Sequence, residues 1–306
     1  KYLVIGAHYD HLGLGGFGSG SRRPDTMAVH NGADDNASGV AAILEIAKKL
    51  SQNKDKISQN ILFVGFGAEE EGLLGSSFFV NNPPIDLKKI SCMINLDMVG
   101  RIDSIEKVIS VMGTGTSKEF SGIIDNIPVC SGYKVKKLNE GTGPSDQAPF
   151  YSKDIPVLFF FATLHEDYHT PFDDIDKINF EGLKTISEYI YDCVLSLSNY
   201  GVDFTFQEAG PKTQSSSYRG NMKVSLGIMP DHTSIDIKGV KAASVIKGKP
   251  ASNAGMEKDD IIIALEGKII DDIYDYMNRM SEFSAGQRIS VDVIRDNKKI
   301  VLIVQL

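Results

Sequence analysis

The sequence predicts an α/β sandwich built on a largely parallel, buried sheet, followed after a linker by a second, smaller domain. Short apolar runs of strand length recur at residues 2–7, 61–67, 90–96 and 155–162, and helix-like stretches, notably Val40–Leu50 and Asn179–Ser198, lie between or after them. Such alternation folds into a sheet covered on both faces, whose strands read as continuous apolar runs. Tyr200–Ser217 then breaks the pattern with Gly201, Gly210, Pro211 and the polar run Thr213–Ser217, and reads as a linker. The expected division is therefore 1–199, linker 200–217 and 218–306. A length of 306 residues suffices for two cores.

With 42% hydrophobic and 24% charged residues the chain has a globular composition, which excludes disorder or a collagen-like fibre as a whole-chain state. The longest strongly apolar run, Pro156–Leu164, is about half of the roughly 18 residues a membrane span requires. A net charge of -8, concentrated before the linker, opposes non-specific attraction to nucleic acid. Cys92, Cys130 and Cys193 are too few and too widely spaced for a disulfide scaffold or a zinc ribbon, and are expected as buried thiols. The chain opens at Lys1 directly on an apolar strand, without initiator Met or signal-peptide pattern, which suggests that an N-terminal piece precedes it.

Two motifs mislead. Gly13, Gly15 and Gly18 match the dinucleotide spacing G-x-G-x-x-G after a strand, but Ser19-Gly20-Ser21-Arg22-Arg23-Pro24 cannot open the helix whose N-terminus would seat a pyrophosphate. His165-Glu166-Asp167-Tyr168-His169 is a literal H-E-x-x-H, a zinc motif only on a helix. Here it follows a strand-like run, and Pro171 stands two residues beyond the second His. His169 remains a candidate metal ligand from a loop.

In parallel sheets, ligands bind outside the carboxyl ends of the strands. The first run ends in His8-Tyr9-Asp10-His11, and Asn31-Gly32-Ala33-Asp34-Asp35-Asn36-Ala37-Ser38-Gly39 leads into the first helix. The second run ends in Gly67-Ala68-Glu69-Glu70-Glu71-Gly72, the third in Asn95-Leu96-Asp97-Met98, and the fourth leads to Tyr168-His169-Thr170-Pro171. A single acid at a strand end is more often solvated or a helix cap. Five such loops in order imply a metal, since converging carboxylates repel unless cations lie between them. Histidine nitrogen with carboxylate oxygen suits zinc, and two ions about 3.5–4 Å apart would need one bridging carboxylate.

These segments resemble, in order, those of the co-catalytic dizinc aminopeptidases, relatives of glutamate carboxypeptidase, glutaminyl cyclase and the transferrin receptor, over about residues 1–199. The resemblance implies a three-layer α/β/α sandwich with a mostly parallel central sheet, two Zn2+ per chain and removal of N-terminal residues from peptide substrates. It implies that Asp35 bridges the metals and is followed by a cis peptide, that His8 and Asp97 complete one site, and that Glu70 and His169 complete the other. Asp10 would hold the His8 imidazole, Glu69 would be the general base, and Tyr168 would hydrogen-bond the developing oxyanion. Asp34 would support the loop. Glu71 is expected in solvent, Asp173 as a helix cap, and His30, His165 and His232 as structural or exposed. The family more often carries His where Gln147 stands. Export to the envelope or medium is a further expectation from the resemblance.

Residues 218–306 resemble a small β-rich PDZ domain of the protease-associated type. Ser225-Leu226-Gly227-Ile228 is similar to the loop that binds a peptide C-terminus, Pro250–Met256 to the helix-bearing segment, and Asp260–Gly267 continues the match, with Asp259 where Gly is usual. The resemblance implies a groove in which a peptide adds as an extra strand. A packing module that binds no peptide is the competing reading. For the whole chain the competitors are a single-zinc acyltransferase of the glutaminyl cyclase kind and a non-catalytic scaffold. The five ligand types and Glu69 favour the dizinc hydrolase.

Overall fold

The computed structural model describes residues 1–201, 203–212, 224–231, 237–271 and 273–306. The chain divides into two compact units, Lys1–Thr163 with Asp167–Gln214, and Ser215–Leu306 with Leu164–Glu166.

In the first unit the order is β1 (Tyr2–His8), α1 (Gly39–Ser51), β2 (Asn60–Phe66), α2 (Leu74–Asn81), β3 (Ile90–Leu96), β4 (Val108–Met112), α3 (Phe120–Asp125), β5 (Lys134–Leu138), α4 (Gln147–Ser152), β6 (Val157–Phe161) and α5 (Phe180–Ser198). The sheet order is β2-β1-β3-β6-β4-β5. Every neighbouring pair is parallel except β4 and β6. Side chains alternate across a strand, so β1 feeds two cores. Leu3, Ile5 and Ala7 pack with Ile43 and Ile46 of α1 and Ile186, Ile190 and Val194 of α5. Val4 packs on the other side with Val80 of α2 and Phe150 and Tyr151 of α4. Helices on both faces of the sheet make the three-layer α/β/α sandwich that the sequence predicts.

The four anticipated strands form within a residue or two of the expected limits, and α1 and α5 match the two anticipated helices. Asn179 caps α5, its side chain accepting from the Gly182 amide. Strands β4 and β5 are additional. In β5 lysines at 134, 136 and 137 leave no apolar run, and charge along an edge strand keeps it from pairing with other chains. Cys92 and Cys193 are buried free thiols, whereas Cys130 is exposed, because the residue lies in the turn before β5 rather than in an element.

The second unit is an antiparallel sheet of order β12-β11-β9-β8-β7, with β10 beside β9. Its strands are β7 (Ile228–Pro230), β8 (Val240–Val245), β9 (Ile261–Leu265), β10 (Lys268–Ile269), β11 (Arg288–Arg295) and β12 (Lys298–Gln305). Leu226, Val240, Ile262, Leu265, Met280, Val291, Val293 and Val304 form its core. Asp260, fully buried, accepts from Arg295 Nε at 2.7 Å and Nη2 at 2.7 Å. Asp259 takes the left-handed backbone (φ 71°) that Gly would adopt more readily, and its carboxylate pairs with Lys241 at 2.8 Å. His232 lies outside the described residues. Among the described residues no helix is long and apolar enough to cross a membrane.

Candidate metal centre

All the candidate ligands sit at or just beyond the carboxyl ends of β1, β2, β3 and β6 or on the turn before α1. Neighbours Ala68 (φ 55°) and Met98 (φ 54°), and His169 itself (φ 56°), take left-handed backbone that turns the chain sharply into the site. The Asp35–Asn36 peptide is cis. Asn36 ties this turn to the end of β3: its Nδ2 donates to the Leu96 carbonyl, and its Oδ1 accepts from the Met98 amide.

Asp35 is 3% exposed, and its two oxygens face opposite partners. Oδ1 lies 3.3 Å from His8 Nε2, which is also 3.4 Å from Asp97 Oδ1. Oδ2 lies 3.2 Å from His169 Nε2, which is also 3.0 Å from Glu70 Oε2. The structure thus brings His8, Asp35, Asp97, Glu70 and His169 together around one carboxylate. Both histidines present the nitrogen a metal needs: His8 Nδ1 donates to the Asp10 carbonyl at 3.1 Å, and His169 Nδ1 to the Gly20 carbonyl at 3.2 Å. Pinning Nδ1–H leaves the Nε2 lone pair facing the acids.

Among the described residues, the buried atoms His8 Nε2, Asp35 Oδ2, Asp97 Oδ1 and His169 Nε2 have no hydrogen-bond partner, a costly state for polar groups. Donors around a tetrahedral zinc with bonds of about 2.0–2.1 Å stand about 3.3 Å apart, which is the spacing here. Nitrogen and carboxylate oxygen in this arrangement suit zinc, and Asp35 stands between the two donor sets.

The electrostatics agree. Burial would lower the His8 pKa, but Asp97 and Asp35 more than reverse this and hold it far above the usual imidazole value. For His169, Asp35 and Glu70 likewise outweigh burial and raise it to about 10. Burial pushes Glu69 up to about 9; His8 opposes this, while Asp97, Asp146 and Glu70 add to it. Without cations, several of these groups hold protons that a dication would displace.

Asp10 meets the His8 imidazole through its carbonyl rather than its carboxylate. Its carboxylate is 3.8 Å from His8 Nδ1 and instead accepts from the amides of Glu69 (3.0 Å) and Glu70 (3.2 Å), while its carbonyl takes the imidazole proton. Two backbone donors at a strand end outcompete one ring N–H that the nearer carbonyl already satisfies. Helix α5 is capped by Asn179, while the Asp173 side chain caps amides of the turn before α1. Fully buried, it accepts from the amides of Asp34 (2.9 Å) and Asp35 (3.0 Å) and so fixes the turn that presents the shared carboxylate. Asp34 accepts from the Gly100 amide at 2.6 Å. Tyr168 is half-buried, with its ring stacked on His169 at 3.8 Å; burial and the surrounding carboxylates keep its phenol protonated. Glu71 is exposed, and buried His30 is satisfied by Ser21 and Ala28. Gln147, 1% exposed, accepts from Asn95.

Two further residues at the centre went unassigned in the sequence. Asp146 is fully buried and raised to about 7 by burial, against a Ser76 hydrogen bond. His11 Nδ1 lies 2.9 Å from Glu70 Oε1. Its signal was its place three residues beyond His8 on the same strand end.

Beyond the first unit, Ser225-Leu226-Gly227-Ile228 forms a tight loop entering β7. The Gly227 amide donates to Ser225 Oγ at 3.0 Å, Leu226 is fully buried, and Gly227 is left-handed (φ 74°).

Comparison with known proteins identifies relatives of both units. The profile described as "Peptidase family M28" matches residues 1–194, and that of the PDZ domain matches residues 201–306. Aminopeptidase YwaD of Bacillus subtilis is 33% identical over 177 residues, covering 54% of this chain and 38% of that protein. The structure of Legionella pneumophila LapA aminopeptidase superposes with a TM-score of 0.54 at 26% identity, covering 64% of this chain and 51% of that one. BSAP, a zinc aminopeptidase from Bacillus subtilis, gives a TM-score of 0.51 at 27% identity, covering 69% and 48%. The chain therefore spans about half or less of the length of these relatives. With residues 1–194 of its 306 matched by the family profile, the chain belongs to peptidase family M28.

Proposed function

We propose that the protein is a two-zinc aminopeptidase in which Glu69 is the general base. The observation that carries this reading is the splitting of the Asp35 carboxylate between two donor sets, His8 with Asp97 and Glu70 with His169. Zinc bound there would polarise the scissile carbonyl and acidify a water molecule.

The chain's own groups carry the rest. Glu69, held by its amide to Asp10 and buried beside the acids, takes the proton from water and delivers it to the departing amine. The protonated Tyr168 phenol supplies a hydrogen bond to the developing oxyanion. The surrounding carboxylates attract the free ammonium of a peptide N-terminus, which selects exopeptidase cleavage. In the second unit, β7 is a terminal strand of its sheet among the described residues, and a peptide adds beside it with its C-terminus at Ser225–Ile228. An exported location belongs to the same proposal.

The test combines zinc content per chain with hydrolysis of a panel of amino-acyl anilides. Glu69→Gln should retain both metals while kcat falls about 100- to 10,000-fold. Exposed Glu166→Gln should leave activity unchanged. The reverse pattern would restore the H-E-x-x-H reading and sink this one.

A further inference from the structure

Around the paired donor sets stands a histidine that this reading does not employ. His11 Nδ1 is 2.9 Å from Glu70 Oε1 and 3.9 Å from Asp35 Oδ2, and its side chain is only 9% exposed. Its ring lies edge-on to that of His169, with centroids 5.8 Å apart. His11, Asp35 and Glu70 form a group whose donor atoms all lie within 4.8 Å of one another, as His8, Asp35 and Asp97 do.

His30, nearby, shows what a structural histidine looks like here. Both its nitrogens are satisfied, Nδ1 by the Ala28 carbonyl and Nε2 by Ser21. In His11, among the described residues, neither nitrogen meets a carbonyl or hydroxyl: Nδ1 points at the two acids, and Nε2 is buried without a hydrogen-bond partner. The backbone makes room for this. Gly32 is left-handed (φ 61°), and a Cβ there would lie 2.7 Å from His11 Cγ and 2.4 Å from the Asp35 carbonyl oxygen, so the imidazole rests directly on the turn that presents Asp35.

We propose that His11 is a fourth protein ligand of the metal held by Asp35, Glu70 and His169, which makes the two ions unequal. This rests on the two-metal reading above and deepens it. One ion then has four protein donors, the complement of a closed structural site. The other, with His8, Asp35 and Asp97, keeps an open position for water and substrate. The closed site retains its ion, and the open site exchanges.

The experiment uses the full chain, stripped of metal and titrated with Zn2+ against a chromophoric chelator, and with Co2+ to read the ligand field in the visible spectrum. The wild type should bind two ions with separable affinities. His11→Ala should weaken the tighter ion at least about 100-fold, leave the weaker one unchanged, and alter the Co2+ bands of the tighter site. His11→Asn, which can still donate to Glu70 but ligates zinc poorly, should show the same loss and so guards against a folding artefact in the alanine variant. Unchanged affinities in His11→Ala would overturn the assignment, as would recovery of wild-type affinity and spectrum in His11→Asn, which would make His11 a hydrogen-bonding positioner of Glu70. A wild type that binds a single ion would refute the two-metal reading instead; His11 would then be judged by whether its removal weakens that ion.

Discussion

Asp173→Ala isolates the support under the shared carboxylate. One Asp173 oxygen accepts the amides of both Asp34 and Asp35, and the side chain is fully buried, so truncation strands two donors away from water. A hydrogen bond to a charged acceptor contributes about 1.5–3 kcal/mol, and an orphaned buried donor costs a similar amount. Since the two bonds share one oxygen, the expected loss is about 3 kcal/mol, near the lower bound of two full bonds. Asp173→Asn keeps a neutral acceptor and should lose about 1 kcal/mol. Urea unfolding of the metal-free chain reads the difference directly through the midpoint at constant slope. Zinc affinity should fall in the same order, because a turn that no longer holds Asp35 must be ordered at the moment of binding. A loss below about 1 kcal/mol in Asp173→Ala would refute the claim that this carboxylate holds the turn.

Gly32→Ala should destabilise the chain and weaken zinc binding, because the added Cβ meets backbone at 2.4 Å in a left-handed conformation; unchanged unfolding and metal affinity would refute the close approach. Metal-free stability should fall with rising pH. His169, raised from 6.5 to about 10, contributes fully below pH 6.5 and loses its contribution as pH climbs towards 10, and Glu69, raised from 4.5 to about 9, disfavours the folded state increasingly as pH rises from 4.5 to about 9. Melting in chelator at pH 6 and pH 9 checks the sign, which a higher melting point at pH 9 would contradict. Zinc affinity should run the opposite way, rising with pH as the ligands' protons are displaced; calorimetry near pH 7 in buffers of different ionisation enthalpy should register roughly two protons released. In the second unit, Arg295→Ala leaves the fully buried Asp260 without its cation and should cost about 3–5 kcal/mol of that unit's stability, read by urea unfolding.

What the amino-acid order determined by itself was whatever depends on local pattern. Continuous apolar runs made β1, β2, β3 and β6 visible, and the 3.6-residue apolar period of Val40–Leu50 and Asn179–Ser198 made α1 and α5 visible, because burial on both faces of a parallel sheet leaves that imprint. The ends of those strands indicated which loops would converge, and within them the resemblance to the dizinc aminopeptidases singled out His8, Asp35, Glu69, Glu70, Asp97 and His169. Strand β5 was not legible, since its lysines answer to an edge that exists only once the sheet has formed.

Tertiary structure alone decided the division of labour around those acids. That Asp10 gives its carbonyl to His8 and its carboxylate to two amides, that Asp173 reaches from beyond β6 to the turn before α1, and that His11 faces Glu70 across 59 positions of chain are facts of distance and direction. No spacing along the chain encodes them, because the partners meet only when separate strand ends are aligned by the packed sheet.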